Sequence, residues 1–108
     1  MKRTFDINLV DGHLLISDNG NTILVDTGSP VTVHQEDTLS FLGREFPVYT
    51  SILGDRIDSL CKLSGIEFTT LLGMDILSQY RVVFDYENRE LTFLTDEELE
   101  WKVLLFLW

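Results

Sequence analysis

Asp26-Thr27-Gly28-Ser29 follows directly on the apolar run Ile23-Leu24-Val25. That order puts a carboxylate at the end of a buried strand, with a glycine that lets the backbone turn away at once. A carboxylate so placed can do general acid–base work. Alone the tripeptide is weak, because Asp and Gly also populate ordinary turns. A second segment, Leu71-Leu72-Gly73-Met74-Asp75-Ile76-Leu77, repeats the pattern of two aliphatics and a glycine. Its own acid, Asp75, is better placed to cap a short helix than to act on a substrate. Thr27 and Ser29 read two ways, as partners of the Asp26 site or as turn residues bonding local backbone. The other reactive side chains form no constellation. His13 and His34 lack a sequence neighbour that would make a Cys-His pair or a metal site, and both are read as loop or surface residues. Cys61 is read as a small buried apolar side chain. No metal-ligand spacing is present, and no cofactor is expected.

The elements that must position these segments read mainly as strands. Residues 4 to 10 alternate Phe5, Ile7 and Leu9 with polar neighbours, Asp11-Gly12 turns, and residues 13 to 16 return as a second strand. Asp18-Asn19-Gly20-Asn21 is another turn, which delivers residues 22 to 25 to Asp26. A further strand begins near Val31-Thr32-Val33, after Pro30. Beyond it the period weakens. Gly43-Arg44-Glu45 is a turn, and residues 46 to 53 form a strand that Pro47 confines to an edge or makes begin late. Ile57, Leu60, Cys61 and Leu63 fit a short helix capped by Gly65. Residues 66 to 72 lead as a strand into Gly73, and residues 74 to 79 form a helix that packs Ile76, Leu77 and Tyr80 on the sheet. Residues 80 to 86 and 90 to 94 flank the polar turn Glu87-Asn88-Arg89, with Asp85 facing solvent or paired with Arg81 or Arg89. The expected class is all-β with one or two short helices.

At 108 residues the chain holds one domain with a modest core. The formal net charge of −10, from 18 acidic and 8 basic side chains, argues against nucleic acid and anionic membranes as partners. A single cysteine makes no intrachain disulfide, and Met1-Lys2-Arg3-Thr4-Phe5-Asp6 lacks the apolar core of a signal peptide, so a cytoplasmic location is expected. The tail, residues 95 to 108, has a different character. Thr95-Asp96-Glu97-Glu98 fits a capping box, and Leu99, Val103 and Phe106 mark one face of a helix whose other face carries Trp101, Leu104, Leu105 and Trp108. Such an apolar helix is expected to pack on the domain or on a dimer partner. It is too short to span a membrane, which takes roughly 20 apolar residues.

Together the Asp26 and Gly73 segments resemble those of the retropepsin-like aspartic proteases, the single-lobe relatives of pepsin. The closing hairpin is similar to that of cellular and bacterial members. The resemblance covers most of residues 5 to 94. It implies an acid-protease lobe over residues 1 to 94, a closed or partly open β-barrel, with Asp26 catalytic and Leu71-Leu72-Gly73 threaded beside it as half of a ψ-shaped loop. It also implies supporting roles for Thr27, Gly28, Ser29, Leu72 and Gly73. Thr27 would bond across a subunit interface, Ser29 would donate its hydroxyl to Asp26, and Gly28 would leave room for substrate while aiming its N–H at the carboxylate. Pepsin-type chemistry needs two carboxylates, and this chain has one Asp-Thr-Gly, so the implied enzyme is a homodimer. Carboxylates roughly 3 Å apart share a proton, one activating a water while the other donates to the scissile carbonyl. The expected function is thus an aspartic endopeptidase acting on a peptide or protein substrate. Between Ser29 and Leu71 there is room only for a shortened flap, with Leu53-Gly54-Asp55 as its tip. That departure from the viral pattern supports the alternative, a non-catalytic or weakly active dimeric peptide-binding or scaffold domain of the same fold.

Overall fold

The computed structural model describes residues 1–95, so the expected helix of the tail lies outside the described residues except for Thr95. Strand β1 (Lys2–Asp6) leads into β2 (Asn8–Val10), β3 (His13–Asp18) and β4 (Asn21–Val25). After the Asp26 loop come β5 (Val33–His34), the hairpin of β6 (Thr38–Phe41) and β7 (Arg44–Pro47), and a smaller hairpin of β8 (Ser51–Ile52) and β9 (Asp55–Arg56). Helix α1 (Ile57–Ser64), strand β10 (Thr70–Leu72), helix α2 (Met74–Leu77) and the hairpin of β11 (Arg81–Asp85) and β12 (Glu90–Leu94) follow. The class is all-β with two short helices among the described residues.

The central sheet has the order β2-β3-β4-β10-β5, and its β4–β10 pair is parallel, with Val25 beside Leu72. A second sheet runs β1-β12-β11, and β6–β7 and β8–β9 stand as separate two-stranded ribbons. The sheets do not close on one another, which corrects the closed-barrel form of the expectation. The outermost strands of the central sheet, β2 and β5, are three and two residues long and leave little edge to join.

The alternation over residues 4 to 10 predicts one strand, yet the chain changes sheet in the middle of it. Residues 2–6 pair with β12, Lys2 opposite Leu94, whereas residues 8–10 pair with β3. Ile7 is the crossing point. Its side chain is buried and its N–H donates to the Arg89 carbonyl at 2.9 Å, so a backbone group outside both ladders is still satisfied.

Continuous apolar runs in β3, β4 and β10 follow from a sheet covered on both faces. Ile16, Ile23, Val25 and Leu72 face a large core closed by the β1-β12-β11 sheet, the β6–β7 ribbon and α2. Leu15, Leu24 and Leu71 face the other way, onto Ile57 and Cys61 of α1 and onto Phe68. Phe93 sits at the centre of the larger core, with the rings of Phe5, Phe41 and Tyr80 at 5.8, 5.3 and 5.8 Å in edge-to-face contact. Truncating such a ring to alanine costs about 3–5 kcal/mol.

Helix α1 ends as its sequence predicts, at Gly65 in the left-handed conformation (φ 73°), whose N–H bonds the Cys61 carbonyl at 2.8 Å. Elsewhere the middle of the chain departs from expectation. The turn between β6 and β7 is Leu42-Gly43, one residue earlier than the glycine pattern predicts. The strand expected over residues 46 to 53 is split, because Tyr49 leaves its neighbours to bond β5, accepting from His34 N–H and donating to the Thr32 carbonyl. Residues 66 to 72 are strand only from Thr70, and the helix expected over 74 to 79 is regular only to Leu77.

Candidate functional site

Asp26 stands at the C-terminal end of β4, half-buried, with Thr27 and Gly28 exposed beyond it. Its backbone N–H donates to the Leu72 carbonyl at 2.9 Å, carrying the parallel β4–β10 ladder one residue further. The Gly28 N–H donates to Asp26 Oδ1 at 2.9 Å, holding one carboxylate oxygen in place. A Cβ at Gly28 would approach that same oxygen to 3.2 Å, so glycine keeps the approach to the carboxyl open.

The loop after Asp26 is strapped to the start of α2. Met74 N–H donates to the Ser29 carbonyl at 2.8 Å and Asp75 N–H to the Pro30 carbonyl at 3.2 Å. The two backbones come so close at Gly73 that a Cβ there would run into the Val31 carbonyl. Leu72 and Gly73, singled out from the sequence, therefore support the site through backbone and space, with the Leu72 side chain wholly buried. Ser29 does not take the expected role. Its hydroxyl donates to the Val31 carbonyl at 2.7 Å and leaves the Asp26 carboxylate to Gly28.

Asp75 lies in the first turn of α2, but its carboxylate does more than cap a helix. Oδ1 accepts from Ile76 N–H at 2.9 Å and from the Thr32 hydroxyl at 2.6 Å, and Oδ2 accepts from Thr32 N–H at 3.0 Å. The same Thr32 oxygen accepts Gly73 N–H at 3.0 Å. Asp75 thus positions the loop and does not face the Asp26 groove. Thr32 had no signature in the sequence beyond its place in a β-branched run.

That groove, of ≈ 520 Å³, is bordered by Asp26 and Thr27, by His13 at the start of β3, by Leu60 and Leu63 of α1, and by Phe84 and Tyr86. The Phe84 and Tyr86 rings stack with centroids 6.3 Å apart. Neither short hairpin contributes a residue to its lining. His13, placed from sequence in a loop or on the surface, is exposed and belongs to the groove. His34 corrects that expectation: it is buried in β5, with Nδ1 2.7 Å from Thr70 Oγ1. Cys61 is buried and reduced, as its apolar reading predicts. Asp85 pairs with neither arginine. Asn88 donates its side-chain amide and its backbone N–H to the two Asp85 oxygens, and these bonds hold the carboxyl below its ordinary value.

Among the described residues no cluster of His, Cys, Asp and Glu could hold a metal ion, and no helix is long and apolar enough to cross a membrane. Comparison with protein-family models, with curated proteins and with solved structures finds no match.

Proposed function

We propose that the chain is a homodimeric aspartic endopeptidase of the retropepsin-like kind, with Asp26 supplied once by each copy. The observation that supports this most directly is the crossing of two chain segments at Asp26. A carboxylate at the mouth of a groove is fixed by the Gly28 N–H, while its own N–H is tied to Leu72 beside a glycine that only a close backbone approach requires. In the dimer the two Asp26 carboxylates share a proton. The ionised one takes a proton from water as it attacks the scissile carbonyl, and the protonated one donates to the carbonyl oxygen, giving a tetrahedral diol with no covalent enzyme intermediate. Thr27, exposed beside the carboxylate, bonds the partner loop. Peptide side chains lie along Leu60, Leu63, Phe84 and Tyr86.

One observation favours a second reading, a dimeric peptide-binding or scaffold domain of weak or no activity. Neither the β6–β7 nor the β8–β9 hairpin lines the groove, so neither roofs it to exclude water. Incubating the purified protein with a mixed peptide library in mild acid separates the two. An endopeptidase cleaves, and Asp26→Asn reduces the rate by about 10²-fold or more while the protein stays folded. Retention of peptides without cleavage, unchanged by Asp26→Asn, supports the scaffold instead.

A further inference from the structure

His13 borders the same groove as Asp26, and the cleavage chemistry gives it no part. Strands β3 and β4 pair in a register that sets Leu15 opposite Leu24, and both leucines face helix α1. Side chains return to the same face of a strand every second residue, so His13 and Asp26, each two positions further out, emerge on that α1 side as well. The strands have parted by then. His13 pairs with Val10 of β2, whereas the Asp26 N–H has turned to the Leu72 carbonyl of β10, so imidazole and carboxylate border the groove from diverging strands.

The backbone beneath His13 is held by the two-residue turn Asp11-Gly12, whose φ values of 50° and 79° are the left-handed pair that a tight hairpin needs. Its exposed ring makes no ion pair among the described residues. Among the described residues that line the groove it is the only side chain able to carry a positive charge, and Asp26 is the only carboxylate. Leu60, Leu63 and Phe84 are apolar neighbours in the same lining.

We propose that His13 is a specificity-determining residue of the Asp26 groove, selecting peptides that carry a carboxylate close to the bond to be cut. That carboxylate is an Asp or Glu side chain or the peptide's own C-terminus, two sources of one chemistry. The inference rests on the reading of the groove as a peptide site and adds to it the substrate class. Mild acid turns an imidazole into a cation, and a hydrogen bond from such a cation to a carboxylate is about twice as strong as a neutral one. Without it, a carboxylate brought up to Asp26 meets only a like charge, among apolar side chains that screen poorly. The molecule as a whole does not attract an acidic peptide either, since its formal net charge is −10. A preference for such peptides therefore has to be made locally, and His13 is the described lining residue that can make it.

The test uses short amidated peptides with an apolar pair at the centre and one Glu scanned through the flanking positions, each against its Gln counterpart, and the Gln peptides again with a free C-terminus. In mild acid at physiological salt, kcat/KM for at least one acidic peptide should exceed that of its neutral counterpart by about fivefold or more. A Glu preference among amidated peptides assigns the side chain as the source, and a preference confined to free ends assigns the terminus. His13→Gln should bring the ratio to within about twofold of one, and His13→Lys, which keeps a cation, should retain the preference. The ratio is the readout because a purely structural role, or an effect on Asp26, lowers both peptides alike. Absence of any preference in the wild type overturns the inference, as does a preference that survives His13→Gln. The same pairs are measured for binding to Asp26→Asn by fluorescence anisotropy, with and without His13→Gln. Selective binding that needs His13, with no cleavage by the wild type, sustains the inference and removes the peptidase. Cleavage without selectivity does the reverse, and a protein that neither cuts nor binds any peptide overturns both.

Discussion

Thr32 and Asp75, far apart in sequence, hold each other by two hydrogen bonds, Thr32 N–H to Oδ2 at 3.0 Å and the Thr32 hydroxyl to Oδ1 at 2.6 Å. With Gly73 N–H bonded to the same hydroxyl oxygen, one wholly buried threonine joins β5, the Gly73 turn and α2. Thr32→Val strands the buried Gly73 N–H and should cost about 1–3 kcal/mol in urea denaturation. Asp75→Ala should cost a similar amount. Because the residues share one network, the double variant should lose less than the sum of the two, a coupling of about 0.5–3 kcal/mol. Simple additivity would show that the network does not act as a unit.

Gly73→Ala should be among the most damaging single-methyl changes in the chain. Its new Cβ meets the backbone of Val31 and Ser29, which cannot swing aside as a side chain can. A loss of at least about 1–3 kcal/mol is expected. Gly54→Ala meets nothing within 4 Å, and its cost should reflect only the positive φ of 85°, on the order of 1 kcal/mol. Equal losses at the two positions would remove close approach as the reason for Gly73.

Leu53, at the tip of the β8–β9 ribbon, has a φ of 51° and is 98% exposed. Leucine is a poor choice for that conformation, so Leu53→Asn should raise stability by up to about 1 kcal/mol. Since the ribbon does not border the Asp26 groove, the proposed peptidase should keep its KM for peptide in this variant. An increase in KM would show that the tip reaches substrate.

Asp85 gives the hairpin a pH dependence. Its folded-state pKa is depressed below the ordinary 3.8, chiefly by the Asn88 side-chain amide and then by the Asn88 N–H. The unfolded chain therefore binds the proton more readily. The stabilisation is present above 3.8 and is lost as pH falls through the lower folded value. Asp85→Asn lacks this titration, so the gap in melting temperature between wild type and variant should narrow on acidification below 3.8. A gap that widens there would contradict the sign.

Local signals made much of the fold legible. β-Branched and aromatic residues on either side of a polar turn found the β11–β12 hairpin, glycine at a helix end found the close of α1, and an apolar run followed by Asp and Gly found the β4 terminus. Ile7 was not legible, because period-two alternation states which side chains are buried and is silent about which sheet the backbone joins. Tyr49 was missed for a related reason, since its bonds to β5 depend on a long-range approach that no neighbour announces. At the candidate site, Asp26, Gly28 and Gly73 carried their requirements in their residue types. Ser29 did not, because a hydroxyl takes whichever acceptor the turn presents, and the Val31 carbonyl is nearer to hand. Thr32, Phe84 and Tyr86 come to the site through tertiary packing alone.

The change of sheet at Ile7 also fixes an order of assembly. Strands β2, β3 and β4 are joined by short turns and can pair soon after leaving the ribosome, whereas β1 has to wait for β12, since Lys2 pairs with Leu94. At roughly 5–20 residues per second that delay lasts on the order of 5–20 s. Throughout it Phe5 lacks Phe93, the ring that later meets it edge-to-face. The nascent chain thus carries an unpaired β1, with Phe5 lacking its Phe93 contact, until β12 has been synthesised. Through residue 94 the chain carries 14 acidic and 7 basic side chains, and that acidic excess repels neighbouring chains during the interval.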